Sequence, residues 1–345
     1  MRLRLLIVAL TAVALAACGS DSKPRIQFGW MDVPGMICAD GSRTGIGISP
    51  GRTDSVLVYL AGGGACWSAT ACNSPFRAFG KQDFEILQLL ASGTIFDRTL
   101  AGNPFASWTI VFVPYCTGDV HAGDSQQTYG GTAWNHHGFR NLQAAVGAVT
   151  SALSRPAEVV VAGSSAGGFG SFAAYRMVRE EWDAAGATTA ALVDDSGPTF
   201  VGTAIPQQLL ADWWESWALG STIGASCPDC QSDLSAMWTT LRASYPDDRH
   251  AFISTTQDLT MRGFFSDPVL GASMTGPAFE AALTELAAKL GTLGPGTAIY
   301  RVGGASATRH ALLADAPFLG SAQGPPTLDW LSGDVSGRTW SSAGP

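Results

Sequence analysis

Short apolar runs and helix-spaced apolar positions alternate along most of this chain. Residues 55–60, 108–114, 158–163, 189–193, 251–255 and 297–302 are compact runs rich in Val, Ile, Leu and Ala, as expected of strands buried on both faces. Phe139, Leu142, Val146, Val149 and Leu153 recur at helical spacing, and Arg155-Pro156 predicts the end of that helix. A second helix follows residue 165 and runs to Trp182, and 76–100 reads as helical in part. Strands alternating with helices predict a doubly wound, mostly parallel α/β sheet, with its reactive groups at the carboxyl ends of the strands. The stretch 199–249 is too long for a simple crossover. Within it, Leu209, Leu210, Trp213, Trp214 and Trp217 crowd one helical face. The expectation is a helical lid inserted over the site, although an amphipathic core helix would carry the same pattern.

One segment is spelled for chemistry. Val159-Val160-Val161-Ala162-Gly163-Ser164-Ser165-Ala166-Gly167 is a strand leading into Gly-x-Ser-x-Gly and a helix. A nucleophilic serine on a sharp strand-to-helix turn holds a strained backbone, and small neighbours leave room for it. Ser165 is therefore the expected nucleophile. Its base must be a histidine. His121, His136 and His137 precede it, against the Ser-Asp-His order of α/β hydrolases, and His250 sits at the wrong end of a strand. His310, after the last strand, remains. The acid has two candidate positions, Asp194 or Asp195 ending one strand and Asp258 following the next. Asp258 is preferred because it follows the strand after the long insertion. Asp195 stays as its rival, otherwise a structural residue in the pocket floor. Backbone N–H groups of Ala166 and of the Gly62-Gly63-Gly64 turn would form the oxyanion hole.

Composition limits the classes. With 345 residues, 46% hydrophobic and 14% charged, the chain can bury one large core, read as a single catalytic domain over 26–331 with a tail at 332–345. A net charge of −8 with no basic block excludes nucleic acid as a natural partner. Arg2 and Arg4 precede an apolar run ending Leu15-Ala16-Ala17-Cys18, which resembles a bacterial lipobox. Residues 1–17 are read as a lipoprotein signal, Cys18 as the lipidated residue and 18–25 as a tether. The expected location is the cell envelope, outside the cytoplasm, with membrane contact through the lipid alone. Six further cysteines, an even number, suit an oxidising compartment. Cys227 and Cys230 stand in a lone Cys-x-x-Cys, better read as a local disulfide than as a metal site. No metal or cofactor is expected.

The whole pattern resembles the pectinacetylesterase/Notum family of α/β-hydrolase carboxylesterases. The resemblance lies in Cys38-Ala39-Asp40-Gly41-Ser42, the segment 59–66 with Cys72, Val113-Pro114-Tyr115-Cys116-Thr117-Gly118-Asp119, the segment 163–168, Asp195-Ser196-Gly197, Gln257-Asp258 and His310-Ala311-Leu312-Leu313. It implies a triad of Ser165, Asp258 and His310, and an oxyanion hole around Gly63, Gly64 and Ala166. It also implies disulfides Cys38–Cys116 and Cys66–Cys72, leaving Cys227–Cys230. Ala61, Ala65 and Ser164 depart from the family's common acidic residue, tryptophan and cysteine, and Ala65 falls on the acyl or leaving-group wall. The implied activity is hydrolysis of O-acyl esters, foremost O-acetyl groups on a polysaccharide. The alternatives are a lipase or deacylase for longer chains, or a carbohydrate-binding surface protein on an inactive scaffold.

Overall fold

The computed structural model describes residues 29–72, 77–183, 189–266, 274–315, 319, 325–335 and 341–345. Eight strands form one sheet: β1 (Gly29–Ile37), β2 (Arg43–Ser49), β3 (Ser55–Leu60), β4 (Thr109–Val113), β7 (Glu158–Ser164), β8 (Thr189–Asp195), β9 (Arg249–Thr255) and β10 (Thr297–Val302). Their order is β1-β2-β4-β3-β7-β8-β9-β10. The six from β4 to β10 run parallel, and β1 and β2 add antiparallel pairings at one edge. A separate hairpin joins β5 (Ser125–Tyr129) to β6 (Thr132–His136). Among the described residues the helices are α1 (Lys81–Leu89), α2 (Gly138–Ala152), α3 (Ala166–Asp183), α4 (Gln207–Ser216), α5 (Ala236–Ser244), α6 (Leu259–Phe264), α7 (Gly276–Thr292) and α8 (Pro325–Val335).

Successive strand residues point to opposite faces, and here both faces are apolar. Val56, Val58, Val159, Val161 and Leu192 join one core with α2, α3, α5 and α7. Leu57, Tyr59, Val160, Ala162 and Val193 join the other with Phe84 of α1, Phe96, Phe105 and Leu328 of α8. Covering both faces explains why the parallel strands read as unbroken apolar runs. The carboxyl ends of β3, β7, β8 and β9 thus share one edge.

Strands β1 and β2 and the β5–β6 hairpin were not legible as strands. A Cβ on Gly45 would lie 2.1 Å from Met31 O, and one on Gly47 would lie 2.1 Å from the Phe84 ring. Close approach requires glycine there, and glycine erases the period-2 signal. Among the described residues three disulfides form, Cys38–Cys116, Cys66–Cys72 and Cys227–Cys230. The first ties the end of β1 to the loop after β4, across 78 residues of sequence.

The insertion between β8 and β9 packs as core along much of its length. Trp213, Trp217 and Trp238 are buried, and Trp217 Nε1 donates to Cys66 O at 2.7 Å. The residues read as signal, lipidation site and tether, including Cys18, lie outside the described residues.

Candidate active site

Strand β7 ends on Ser164, and α3 begins at Ala166, so the chain reverses on Ser165 alone. Ser165 sits at φ 60°, in the left-handed region that a side chain makes costly. Glycines make the reversal possible. A Cβ on Gly163 would meet Gly167 O at 2.1 Å, and one on Gly167 would meet Leu60 O at the same distance. Gly62 also lies close to the turn, 2.6 Å from Ser164 O by the same measure. Ser165 N donates to Asp195 O, which fixes the turn against the neighbouring strand. Among the described residues, no acceptor in the chain takes the N–H of Gly63, Gly64 or Ala166. Those three donors are open at the Ser165 edge.

Asp258 and His310 come together across 52 residues. His310 Nδ1 lies 2.7 Å from Asp258 Oδ2, and Asp258 is fully buried. Its second oxygen, Oδ1, accepts Met261 N at 2.9 Å and so caps α6. One carboxylate is held by the helix and in turn holds the imidazole. The donor at Nδ1 leaves Nε2 as the free basic nitrogen. Ser165 Oγ makes no hydrogen bond to His310 in this state; such contacts often tighten only when substrate is bound.

Asp195 does not reach His310 by a hydrogen bond. It holds the loop that carries it: its carboxylate accepts Leu312 N at 3.1 Å, Leu313 N at 2.9 Å, Ser164 Oγ at 2.6 Å and Ser196 Oγ at 3.1 Å. Tyr59 OH donates to Ser164 Oγ at 2.7 Å, and Ser196 Oγ accepts Ala311 N at 3.2 Å. Burial pushes Asp195 above the usual carboxylate range, and the donors around it, Ser164 first, pull it back. The four donors occupy the acceptor sites of both its oxygens. Its neighbour Asp194 is the opposite case. Only Gly197 N reaches its Oδ1, Oδ2 has no partner among the described residues, and burial pushes it well above the ordinary value.

Ser165 opens onto a cavity of about 20 Å³, measured as space for the centre of a water-sized sphere. Gly64, Ala65, Val120, Phe169, Trp213, Met261 and Phe264 line it. A larger cavity of about 270 Å³ lies between α2, α3 and α5 and shares none of these residues.

Among the described residues six non-glycines adopt positive φ: Val120, His121, Ser165, Ser196, Ala218 and Ala311. All but Ala218 adjoin the arrangement just described. Strain of this kind costs on the order of 1–3 kcal/mol per residue and gathers where geometry matters more than stability.

The pectinacetylesterase family model matches residues 25–238, more than half of the chain. The chain belongs to the pectinacetylesterase family. That match includes Ser165 and the glycines and stops before Asp258 and His310, which the fold itself brings in. Palmitoleoyl-protein carboxylesterase NOTUM of Schmidtea mediterranea is 28% identical over 141 residues, 39% of this chain and 26% of the relative. Palmitoleoyl-protein carboxylesterase notum2 of Xenopus laevis is 27% identical over 148 residues, 39% and 28% of the two chains. The aligned region thus spans about a quarter of those curated relatives. The fold is shared more widely: a structure of the Wnt deacylase Notum from Drosophila superposes with a TM-score of 0.62 over 91% of this chain and 97% of that one, at 16% identity.

Missing from the sequence reading were Tyr59, Ser164 and Asp195 as a connected set. A carboxylate at a strand end was visible; that it would gather four donors from three segments was not.

Proposed function

We propose that this protein is a serine carboxylesterase that removes short O-acyl groups, acetyl foremost, from an exported polysaccharide. Ser165 Oγ attacks the acyl carbon while His310 Nε2 takes its proton, and Asp258 holds the imidazole and steadies the charge it gains. The oxyanion meets the open N–H groups of Ala166, Gly63 and Gly64. His310 then passes the proton to the leaving sugar hydroxyl. Water, deprotonated by the same nitrogen, attacks the acyl-enzyme and releases acetate. The relatives' names support carboxylic ester chemistry in general; the acyl length is inferred from the space beside Ser165.

The observation that carries the reading is the size of the cavity. About 10–15 Å³ on this measure holds one water-sized group, so about 20 Å³ takes a methyl and little more. A sixteen-carbon chain would need roughly ten times that space, by the same count per group. Phe169, Trp213, Met261 and Phe264 are the bulky side chains that line this space.

The test is a series of p-nitrophenyl esters from C2 to C12. Expected is the highest kcat/KM at C2, with a fall of about tenfold or more by C8, because each excess methylene must displace a packed side chain. Ser165→Ala should fold and lose about a thousandfold or more in kcat. A preference rising with chain length would favour the lipase or deacylase alternative. Undiminished turnover by Ser165→Ala would move the nucleophile elsewhere.

A further inference from the structure

We infer that His121, which the order of residues removes from the triad, is a positioning residue for the oxyanion hole. The inference rests on the reading of Gly63 and Gly64 as oxyanion donors. Those glycines are the least restrained part of the site, and Gly64 itself sits at φ 85°. Something must aim their N–H groups.

The residue before them is held at both ends. Ala61 N donates to Val113 O at 3.0 Å, and Ala61 O lies 2.9 Å from His121 Nε2. A carbonyl can only accept, so His121 carries its proton on Nε2. Burial keeps the ring neutral, with its pKa lowered to about 4. The histidine is itself clamped. Its ring packs on Tyr115 with centroids 4.7 Å apart, and Tyr115 OH accepts Val120 N at 2.8 Å. The other face of the Tyr115 clamp is the oxyanion turn, because a Cβ on Gly63 would come 2.8 Å from the Tyr115 ring. On the opposite side lies the nucleophile's helix: a Cβ on Gly170 of α3 would meet His121 Cβ at 2.6 Å and Val120 O at 2.8 Å.

Val120 and His121 are consecutive non-glycine residues at φ 50° and 60°. They are the two central residues of a tight turn closed by Ala122 N donating to Asp119 O at 2.9 Å, positions that glycine, asparagine or aspartate fill more cheaply than valine and histidine do. The strained pair does two things that an ordinary loop would not. Val120 reaches the wall of the cavity at Ser165, and His121 reaches the carbonyl next to the oxyanion glycines. One short segment thereby fixes the distance between the nucleophile's helix and the donors that must face the substrate oxygen. Such precision matters, because a donor misaimed by a fraction of an ångström loses most of its advantage in the transition state.

Two variants separate positioning from packing. His121→Phe keeps a ring against Tyr115 and removes the donor; His121→Gln keeps an amide N–H that can reach Ala61 O. With p-nitrophenyl acetate, His121→Phe should lose about tenfold to a hundredfold in kcat at nearly unchanged KM, a fraction of the loss from deleting an oxyanion donor outright. Binding of a trifluoromethyl ketone, which forms the tetrahedral adduct, should weaken by a similar factor. His121→Gln should recover most of both. Gly170→Ala offers an independent approach, since the new methyl presses on His121 from α3, and it should lower kcat although alanine favours a helix. Wild-type kcat in folded His121→Phe overturns the inference, as does equal loss in Phe and Gln with a matching fall in melting temperature. If Ser165→Ala is inactive while His121→Phe is normal, only this inference fails. If Ser165→Ala remains active, the reading beneath it fails.

Discussion

Replacing Asp258 by Asn tests how the imidazole is held, and the structure sets the expected result. Asp258 has two bonds to keep, Oδ1 from Met261 N and Oδ2 from His310 Nδ1. An amide has one acceptor oxygen. Capping α6 claims it, because asparagine serves as well as aspartate at that position and an uncapped N–H costs about 1 kcal/mol. The amide NH₂ must then face His310 Nδ1, and two donors cannot meet there. The ring takes the other tautomer, with its proton on Nε2, where it cannot receive the proton of Ser165. Expected is a fall in kcat of at least about a hundredfold and up to ~10⁴, the range for an orienting carboxylate changed to its amide, with a melting temperature close to wild type. The control is Asp195→Asn. There an amide nitrogen would face donors from Ser164 Oγ and Leu313 N, or from Leu312 N and Ser196 Oγ. Each buried donor left unpaired costs about 1–3 kcal/mol, so this variant should lose several degrees in melting temperature. Its catalytic loss should follow from a loosened His310 loop and be the smaller of the two. Stopped assays on p-nitrophenyl acetate and thermal melts on both proteins suffice. Wild-type kcat in Asp258→Asn, beside a crippled but stable Asp195→Asn, would give the role of acid to Asp195.

Three further outcomes are expected. The proposed anchor predicts that protein made in a bacterial host incorporates labelled palmitate and partitions into detergent, and that Cys18→Ser abolishes both; fully soluble wild type would mean a plain signal peptide. Loss of the Cys66–Cys72 bridge in the double serine variant should cost about 2 kcal/mol, as for a short closed loop, and should lower kcat more than that implies because the bridge directly follows the oxyanion glycines; a normal kcat would make the bridge a staple only. His250 is buried, among the described residues neither ring nitrogen has a hydrogen-bond partner, and burial lowers its pKa to about 3. A depressed pKa contributes stability above pH 6.5 that is lost as pH falls toward 3, so His250→Leu should flatten the acid side of the melting-temperature profile, and an unchanged slope would refute that assignment.

The parts of this protein that the sequence exposed are those where a single physical requirement dominates. Strands β3, β4, β7, β8, β9 and β10 each carry an apolar run that feeds the cores on the two faces of the sheet, and their positions were readable to within two residues. The turn at Ser165 was readable because backbone strain there admits only small neighbours. Strands β1 and β2 were not, since Gly45 and Gly47 answer to Met31 and Phe84, contacts that no local pattern encodes. His310 and Asp258 were chosen by their order in the chain and lie 2.7 Å apart in the fold, whereas His121 was set aside by the same rule, which bears on a base and is silent on a ring nitrogen that meets the Ala61 carbonyl.

Asp195, Ser196 and His121 share one property that the sequence could not show: each reaches the backbone of another segment. Asp195 acts on Leu312 N and Leu313 N, Ser196 on Ala311 N, and His121 on Ala61 O. Backbone groups have no identity in a sequence, so a side chain that recognises them leaves no partner to search for. Left-handed φ at Ser165, Ser196, Ala311, Val120 and His121 marks the same set from the opposite direction. The fold accepts strain at these five residues because the two buried faces of the sheet supply stability elsewhere. That division of labour predicts where substitutions will act: changes in the β7 core should move the melting temperature, and changes at the five strained positions should move kcat first.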